Sequence, residues 1–163
     1  MSTRPVILAV ILVGALALLP VGLAGGENSH HNGGRFALGF NLHFTGPSST
    51  AGTFVISGKV RDSGTSSVED LAIKPFGHRD KGRLSGTQSF VGAHGTIVTR
   101  FHGIAHDISD PHQWARGRVE IIDATGDYAG LRGKGRFMVV VDASTNQLIG
   151  TEAGHVRQKA AGG

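Results

Sequence analysis

Between positions 94 and 114 the chain gathers His94, His102, His106, Asp107, Asp110, His112 and Trp114. Imidazole and carboxylate are the ligands that hold zinc or copper, and a loop carrying His106, Asp107 and His112 could fold back toward His102. Such a site needs three or four groups converging, and no established metal spacing is present. Solvated histidines at turns account for the same residues, so no metal and no cofactor is expected. Trp114 is the only tryptophan; it either anchors its loop or offers a ring for stacking on a ligand at an opening. Arg100 and His102, on the segment leading into the cluster, join Trp114 as candidate ligand contacts.

Other chemistries are excluded more firmly. There is no cysteine, hence no thiolate nucleophile and no disulfide. No nucleophile–base–orienter arrangement is apparent. The glycines of Gly130-x-x-Gly133-x-Gly135 run in the reverse order of a dinucleotide fingerprint, and the next element reads as a strand rather than a helix. Arg116, Arg118, Lys134 and Arg136 alternate along two neighbouring segments with Glu120 among them, which reads as a basic outer face. Sixteen bases against twelve acids give a net charge of +4, too small and too mixed to argue for nucleic acid, and the few aromatics stand mostly at core-like positions.

The elements that must position these residues are strands. Phe36, Leu38, Phe40, Leu42 and Phe44 are apolar at every second position, the period of a half-buried strand. Phe54, Ile56 and Val60 repeat it within Thr53–Arg61. Further strands are expected at Ser67–Lys74, Leu84–Val91, Thr96–Ile104, Arg116–Ile122, Gly135–Asp142 and Gln147–Arg157. Turn compositions separate them, among them Asp62-Ser63-Gly64, Gly92-Ala93-His94-Gly95 and Ser144-Thr145-Asn146. Two longer loops are expected at Pro75–Arg83 and His106–Trp114. No window shows sustained helical periodicity, and 26 glycines suit a twisted sheet with bulges. Eight short strands imply an all-β fold, an eight-stranded antiparallel up-and-down barrel of calycin-like type in preference to a sandwich. Closure removes exposed edges and leaves an interior about wide enough for side chains or one small ligand. The expected core comprises Phe36, Leu38, Phe40, Leu42, Phe44, Phe54, Ile56, Phe101, Val119, Ile121, Phe137, Val139 and Val141.

The ends bound the compartment. Arg4 followed by an apolar run from Val6 to Leu19, Pro20 and then Gly22-Leu23-Ala24 has the layout of a secretory signal peptide over residues 1–24. The run is shorter than the ~20 residues of a membrane span. Leu23-Ala24-Gly25-Gly26 is similar to a lipoprotein box with glycine where the lipidated cysteine would stand, so a soluble secreted or periplasmic protein without a membrane anchor is expected. Residues 25–34 read as a disordered lead-in, 35–157 as one barrel domain and 158–163 as a flexible tail.

One stretch carries a resemblance. Asp123 to Phe137 contains Thr125-Gly126-Asp127-Tyr128 and Arg132-Gly133, similar to the Thr-Gly-x-aromatic-x-x-x-Arg-Gly signature of dirigent proteins and the allene oxide cyclase barrel superfamily. Phe90 to Gly103 resembles small exported bacterial relatives more loosely, and about a third of the chain is covered. The resemblance implies a barrel and singles out Asp127 and Arg132 as a pair that could polarise a phenol or steer a reactive intermediate near the barrel mouth. The plainer alternative is a surface salt bridge closing the turn. Tyr128 takes the place of the usual phenylalanine and is a candidate ligand contact. Relatives of this barrel often form dimers or trimers, so an oligomer is expected on resemblance alone. Two functions follow as expectations. The favoured one is an exported barrel binding a small hydrophobic or phenolic ligand without turnover. The alternative is a cyclase- or dirigent-like isomerase that steers stereochemistry through Asp127 and Arg132.

Overall fold

The computed structural model describes residues 33–77 and 80–158. The segment 1–24 expected to be a signal peptide, most of the expected lead-in and all of the tail after Gln158 lie outside the described residues. Eight strands close into one antiparallel barrel: β1 (Gly33–Gly46), β2 (Ser49–Gly58), β3 (Asp62–Pro75), β4 (Lys81–Gly92), β5 (Thr96–His106), β6 (His112–Ala124), β7 (Leu131–Asp142) and β8 (Gln147–Gln158). Each strand pairs with its sequence neighbour, and β1 pairs with β8 to complete the ring. A single 3-10 turn, Gly126–Tyr128, is the only helical element among the described residues.

Alternation decides which face turns inward. In β1, Phe36, Leu38, Phe40 and Leu42 are all buried, while Arg35, Ala37 and Asn41 are not. Of the thirteen expected core residues all but Phe44 and Val141 are buried; these two pack against the core while staying half-buried near one end of the barrel. Large rings fill the lumen by lying across glycines on the facing strand. A Cβ built on Gly150 would strike the Phe40 ring, on Gly86 the Phe101 ring, and on Gly117 the Phe137 ring. Phe54 with Phe90, and Phe101 with Phe137, meet edge-on at 5.2 and 5.8 Å between centroids, the geometry that aromatic quadrupoles favour.

Several boundaries differ from the sequence reading. Gly33 and Gly34 belong to β1, opposite Arg157 and Val156, so the lead-in does not run to residue 34 and the barrel extends to Gln158. The β2–β3 turn is Lys59-Val60-Arg61 rather than Asp62-Ser63-Gly64. It forms where Gly58 takes φ +104 and the Lys59 N–H reaches the Arg35 carbonyl at 2.9 Å, which lets Asp62 open β3 opposite Ile56. The two long loops shrink because β3 runs to Pro75, β4 starts at Lys81, and β5 and β6 leave only Asp107 to Pro111 between them. A bulge in β3 between Glu69 and Ala72, with Asp70 at φ 57, carries the strand onto the next part of the wall.

Candidate functional site

The two ends of the barrel are built differently. One end gathers the turns β1–β2, β3–β4, β5–β6 and β7–β8, and a cavity of about 70 Å³ runs from mid-barrel toward it. Its wall is apolar, from fully buried Leu42 through Phe40, Val68, Leu84, Phe101 and Phe137 to the partly exposed Phe44, Leu71 and Ile73 at the mouth. Four polar side chains interrupt that wall: half-buried Gln113, whose Nε2 donates to the Ile108 carbonyl at 3.3 Å, and Thr50, Gln88 and Glu152, each 2–3% exposed. Gln88 is partly satisfied, its Nε2 donating to Ser66 Oγ at 3.0 Å. Thr50 Oγ1 and Glu152 Oε2 are buried and have no hydrogen-bond partner among the described residues.

Glu152 is the unusual residue. It sits on the inward phase of β8 with Leu148 and Val156, opposite Leu38 of β1 and Phe137 of β7. No cation balances it, and burial alone pushes its carboxyl up to about 8. At neutral pH it is therefore a neutral acid, one O–H donor with acceptor capacity left over. A buried carboxyl without a partner is costly unless something entering the lumen meets it.

The mouth is held by the residues around Trp114. Its indole stacks on His106 at 3.8 Å and 3°, its Nε1 donates to Asp107 Oδ2 at 3.0 Å, and Arg116 lies 5.7 Å above the ring. Burial, with Lys81 and Arg116 nearby and only Asp107 opposing, holds the His106 imidazole below its usual range. Asp80 accepts from both the N–H and the hydroxyl of Ser109, tying the β3–β4 turn to the β5–β6 turn. Trp114 thus anchors its loop and also lines the cavity.

The glycine-rich segment lies at the other end, which is plugged. Tyr128 is buried, and its hydroxyl donates to Asp62 Oδ2 at 2.8 Å. The same carboxylate accepts from the backbone N–H groups of Ser63, Ala93 and His94. Burial would raise the Asp62 carboxyl, but these donors together hold it below the ordinary carboxylate range; burial and the neighbouring carboxylate push the Tyr128 hydroxyl far up. Asp127 meets His94, Oδ2 to Nδ1 at 3.1 Å. It does not meet Arg132, which points to the outer wall beside His155 and Arg157 and donates to the Leu131 carbonyl. The expected Asp127–Arg132 ion pair is absent among the described residues, because the 3-10 turn leaves Asp127 over the β4–β5 turn while Arg132 has already entered β7 on the exposed phase.

Arg100 and His102 are exposed on the outer phase of β5, on either side of inward Phe101. The sequence-predicted site residues therefore divide: Trp114 at the mouth, Tyr128 and Asp127 at the plug, Arg132, Arg100 and His102 on the outer wall. Among the described residues the histidines do not converge, and no three His, Cys, Asp or Glu side chains group as metal ligands. Among the described residues no helix is long and apolar enough to cross a membrane. Thr50, Gln88 and Glu152 were missed. The signal for Glu152 was in the chain: in Leu148-x-Gly150-x-Glu152-x-Gly154-x-Val156 an acid occupies the apolar phase. Comparison of the chain with family models, curated proteins and solved structures finds no match.

Proposed function

We propose that this chain is an exported binding barrel whose lumen takes a small apolar molecule carrying one neutral oxygen function, a hydroxyl, phenol or carbonyl, without turnover. The observation that carries this reading is the pair of unpartnered buried oxygens, Glu152 Oε2 and Thr50 Oγ1, in the wall of an otherwise apolar cavity. Apolar lining supplies affinity, and a few convergent polar groups supply orientation. A neutral Glu152 donates to a carbonyl or accepts from a hydroxyl, and Thr50 can do either. The size of the cavity favours one ring or one short chain end over a full lipid. The leader-like N-terminus supports placement outside the cytoplasm, and the calycin-like, allene-oxide-cyclase-like resemblance fits a ligand-holding barrel that assembles with copies of itself.

The single tryptophan makes the test direct, because Trp114 lines the cavity. Titration with phenol, cyclohexanol and 2-hexanone should change Trp114 emission saturably, and cyclohexane should bind more weakly. Glu152→Leu should lose the preference for the oxygenated compounds. A lumen that takes none of the four would refute the proposal. A catalytic version, a cyclase- or dirigent-like isomerase, gains from the same carboxyl, since a neutral buried acid can polarise an epoxide or quinone oxygen. A change in product stereochemistry that disappears in Glu152→Gln would favour it. If the activity disappeared instead in Asp127→Ala, the chemistry would belong to the plugged end, and if in Arg132→Ala, to the outer wall.

A further inference from the structure

On the outside of the barrel, across β3 to β8, lies a groove of about 1090 Å³ whose lining holds Lys74, Arg83, His102, Arg116, Arg118 and Arg136 and no acidic residue. All six are exposed. Strand register sets several of them directly opposite one another: Lys74 faces Arg83, His102 faces Arg118, and Arg118 faces Arg136. Lys74 with Arg83, and Arg118 with Arg136, are like charges that repel in that relation. The same strands balance charge one step further along, where Glu120 faces both Arg100 and Lys134 and meets Lys134 Nζ at 3.3 Å. Among the described residues none of the groove's arginines or its lysine has a carboxylate within 4.0 Å. The floor crosses the facing pair Gly103 and Gly117, where a Cβ on either would strike the other strand's backbone.

We infer that this groove is a binding site for a linear acidic polysaccharide, with carboxylate or sulfate groups seated against Arg83, Arg116, Arg118 and Arg136. Cationic side chains repeat at about 5 Å across the strands and about 7 Å along β6, so a polymer with an anionic group on each sugar or every second sugar meets several at once. Guanidinium groups pair with carboxylate and sulfate through parallel N–H donors. Met138, 56% exposed, and half-buried Ile104 lie among the arginines and suit the C–H face of a pyranose ring. A single-stranded nucleic acid fits less well, because it needs free aromatic faces for its bases. The two rings at the groove's edge, Phe76 and Trp114, already carry the guanidinium groups of Arg83 and Arg116 at 5.6 and 5.7 Å. A flat bilayer fits less well still, because the charges line a depression. The groove lies on the outer face of the wall and the cavity on its inner face, with Leu84 and Phe137 common to both.

The test measures binding of the purified full chain to heparin and to polygalacturonate at 50 and 300 mM NaCl, with neutral dextran, a 20-nucleotide oligo-dT and phosphatidylglycerol vesicles as comparisons. The chain should bind at least one of the two acidic polysaccharides, lose affinity steeply with salt, and ignore dextran. Arg118→Ser with Arg136→Ser should weaken binding at least tenfold. Lys59→Ser with Arg61→Ser removes the same charge at the plugged end and should change it less than twofold. Arg83→Ser, on a different strand, should weaken binding about threefold and guards against a folding defect in the double variant. Failure to bind either polysaccharide, equal losses in the two double variants, or tighter binding to the oligonucleotide or the vesicles would each overturn the proposal.

Discussion

Replacing Glu152 by Gln should change how stability depends on pH more than it changes stability itself. The carboxyl titrates near 4.5 in an unfolded chain and near 8 in the barrel. Below pH 4.5 it is protonated in both states and contributes no pH dependence. As pH rises through 4.5 the unfolded chain releases its proton while the folded one keeps it, so the unfolded state is favoured progressively until pH 8. A shift of one unit corresponds to ~1.36 kcal/mol, which places the loss at about 3 kcal/mol by pH 7 and about 5 kcal/mol above pH 8. That is comparable with the whole stability of many domains of this size. Gln keeps the shape and cannot titrate. Asp62 and Asp142, whose hydrogen-bonded carboxylates lie below the ordinary range, favour folding as pH rises from acid, but they are common to both proteins and cancel in the difference. Urea unfolding of wild type and Glu152→Gln from pH 4 to 9 should therefore give curves that diverge between 4.5 and 8, the wild type falling relative to the variant. Parallel curves would show that Glu152 is hydrated or partnered and that the lumen is not as dry as its lining implies. Saturating the wild type with 2-hexanone, whose carbonyl accepts only from the protonated acid, should carry the divergence beyond pH 8, since the bound ketone holds the proton on more tightly.

The plugged end gives a second expectation: Tyr128→Phe should cost about 1–2 kcal/mol, through loss of the hydrogen bond to the Asp62 carboxylate, read as a lower urea midpoint with an unchanged slope. Asp62→Ala should cost more, because the Tyr128 hydroxyl and the N–H groups of Ala93 and His94 lose their acceptor together. Gly117→Ala should destabilise by about 3 kcal/mol, since its Cβ would press on the His102 carbonyl and the Phe137 ring; thermal melting reads it. Arg136→Glu should instead stabilise by about 0.5 kcal/mol by converting a like-charge pair with Arg118 into an opposite one, while weakening any polyanion binding.

How much of this was legible in the chain can be traced to particular residues. Phe36 to Phe44 alternate so cleanly that β1 and its inward face follow at once, and turn chemistry gave the strand number. The Asp62 turn was misplaced because an aspartate beside Ser-Gly has turn chemistry locally, whereas here the carboxylate is taken up by Tyr128, 66 residues away in the chain. No local pattern encodes that partner. The resemblance pairs Arg132 with Asp127, but a 3-10 turn and a strand phase separate them, and phase is a property of the whole ladder. Glu152 stands outside any cluster of polar residues, and its only signal in the chain is one polar residue where the period demands an apolar one.

The division between the two ends follows from the same geometry. At the plug, Tyr128 and Leu131 are buried over the barrel axis, and the Asp62 hub ties the β2–β3, β4–β5 and β6–β7 connections to one another. The buried polar groups there, the Tyr128 hydroxyl and the Asp62 carboxylate, are satisfied by the chain itself and serve to close the barrel, and the open pocket of about 340 Å³ beside Lys59, Arg61 and Asp127 lies outside them. At the mouth the balance is reversed. Trp114 and Asp80 tie the loops at the rim, yet Thr50 and Glu152 inside keep unpaired oxygens. Selection for stability alone would replace Glu152 with an apolar residue, because a glutamate there costs folding energy at every pH above its ordinary titration. On the proposed reading, the lumen and not the glycine-rich turn is where a bound ligand would offset what the fold gives up.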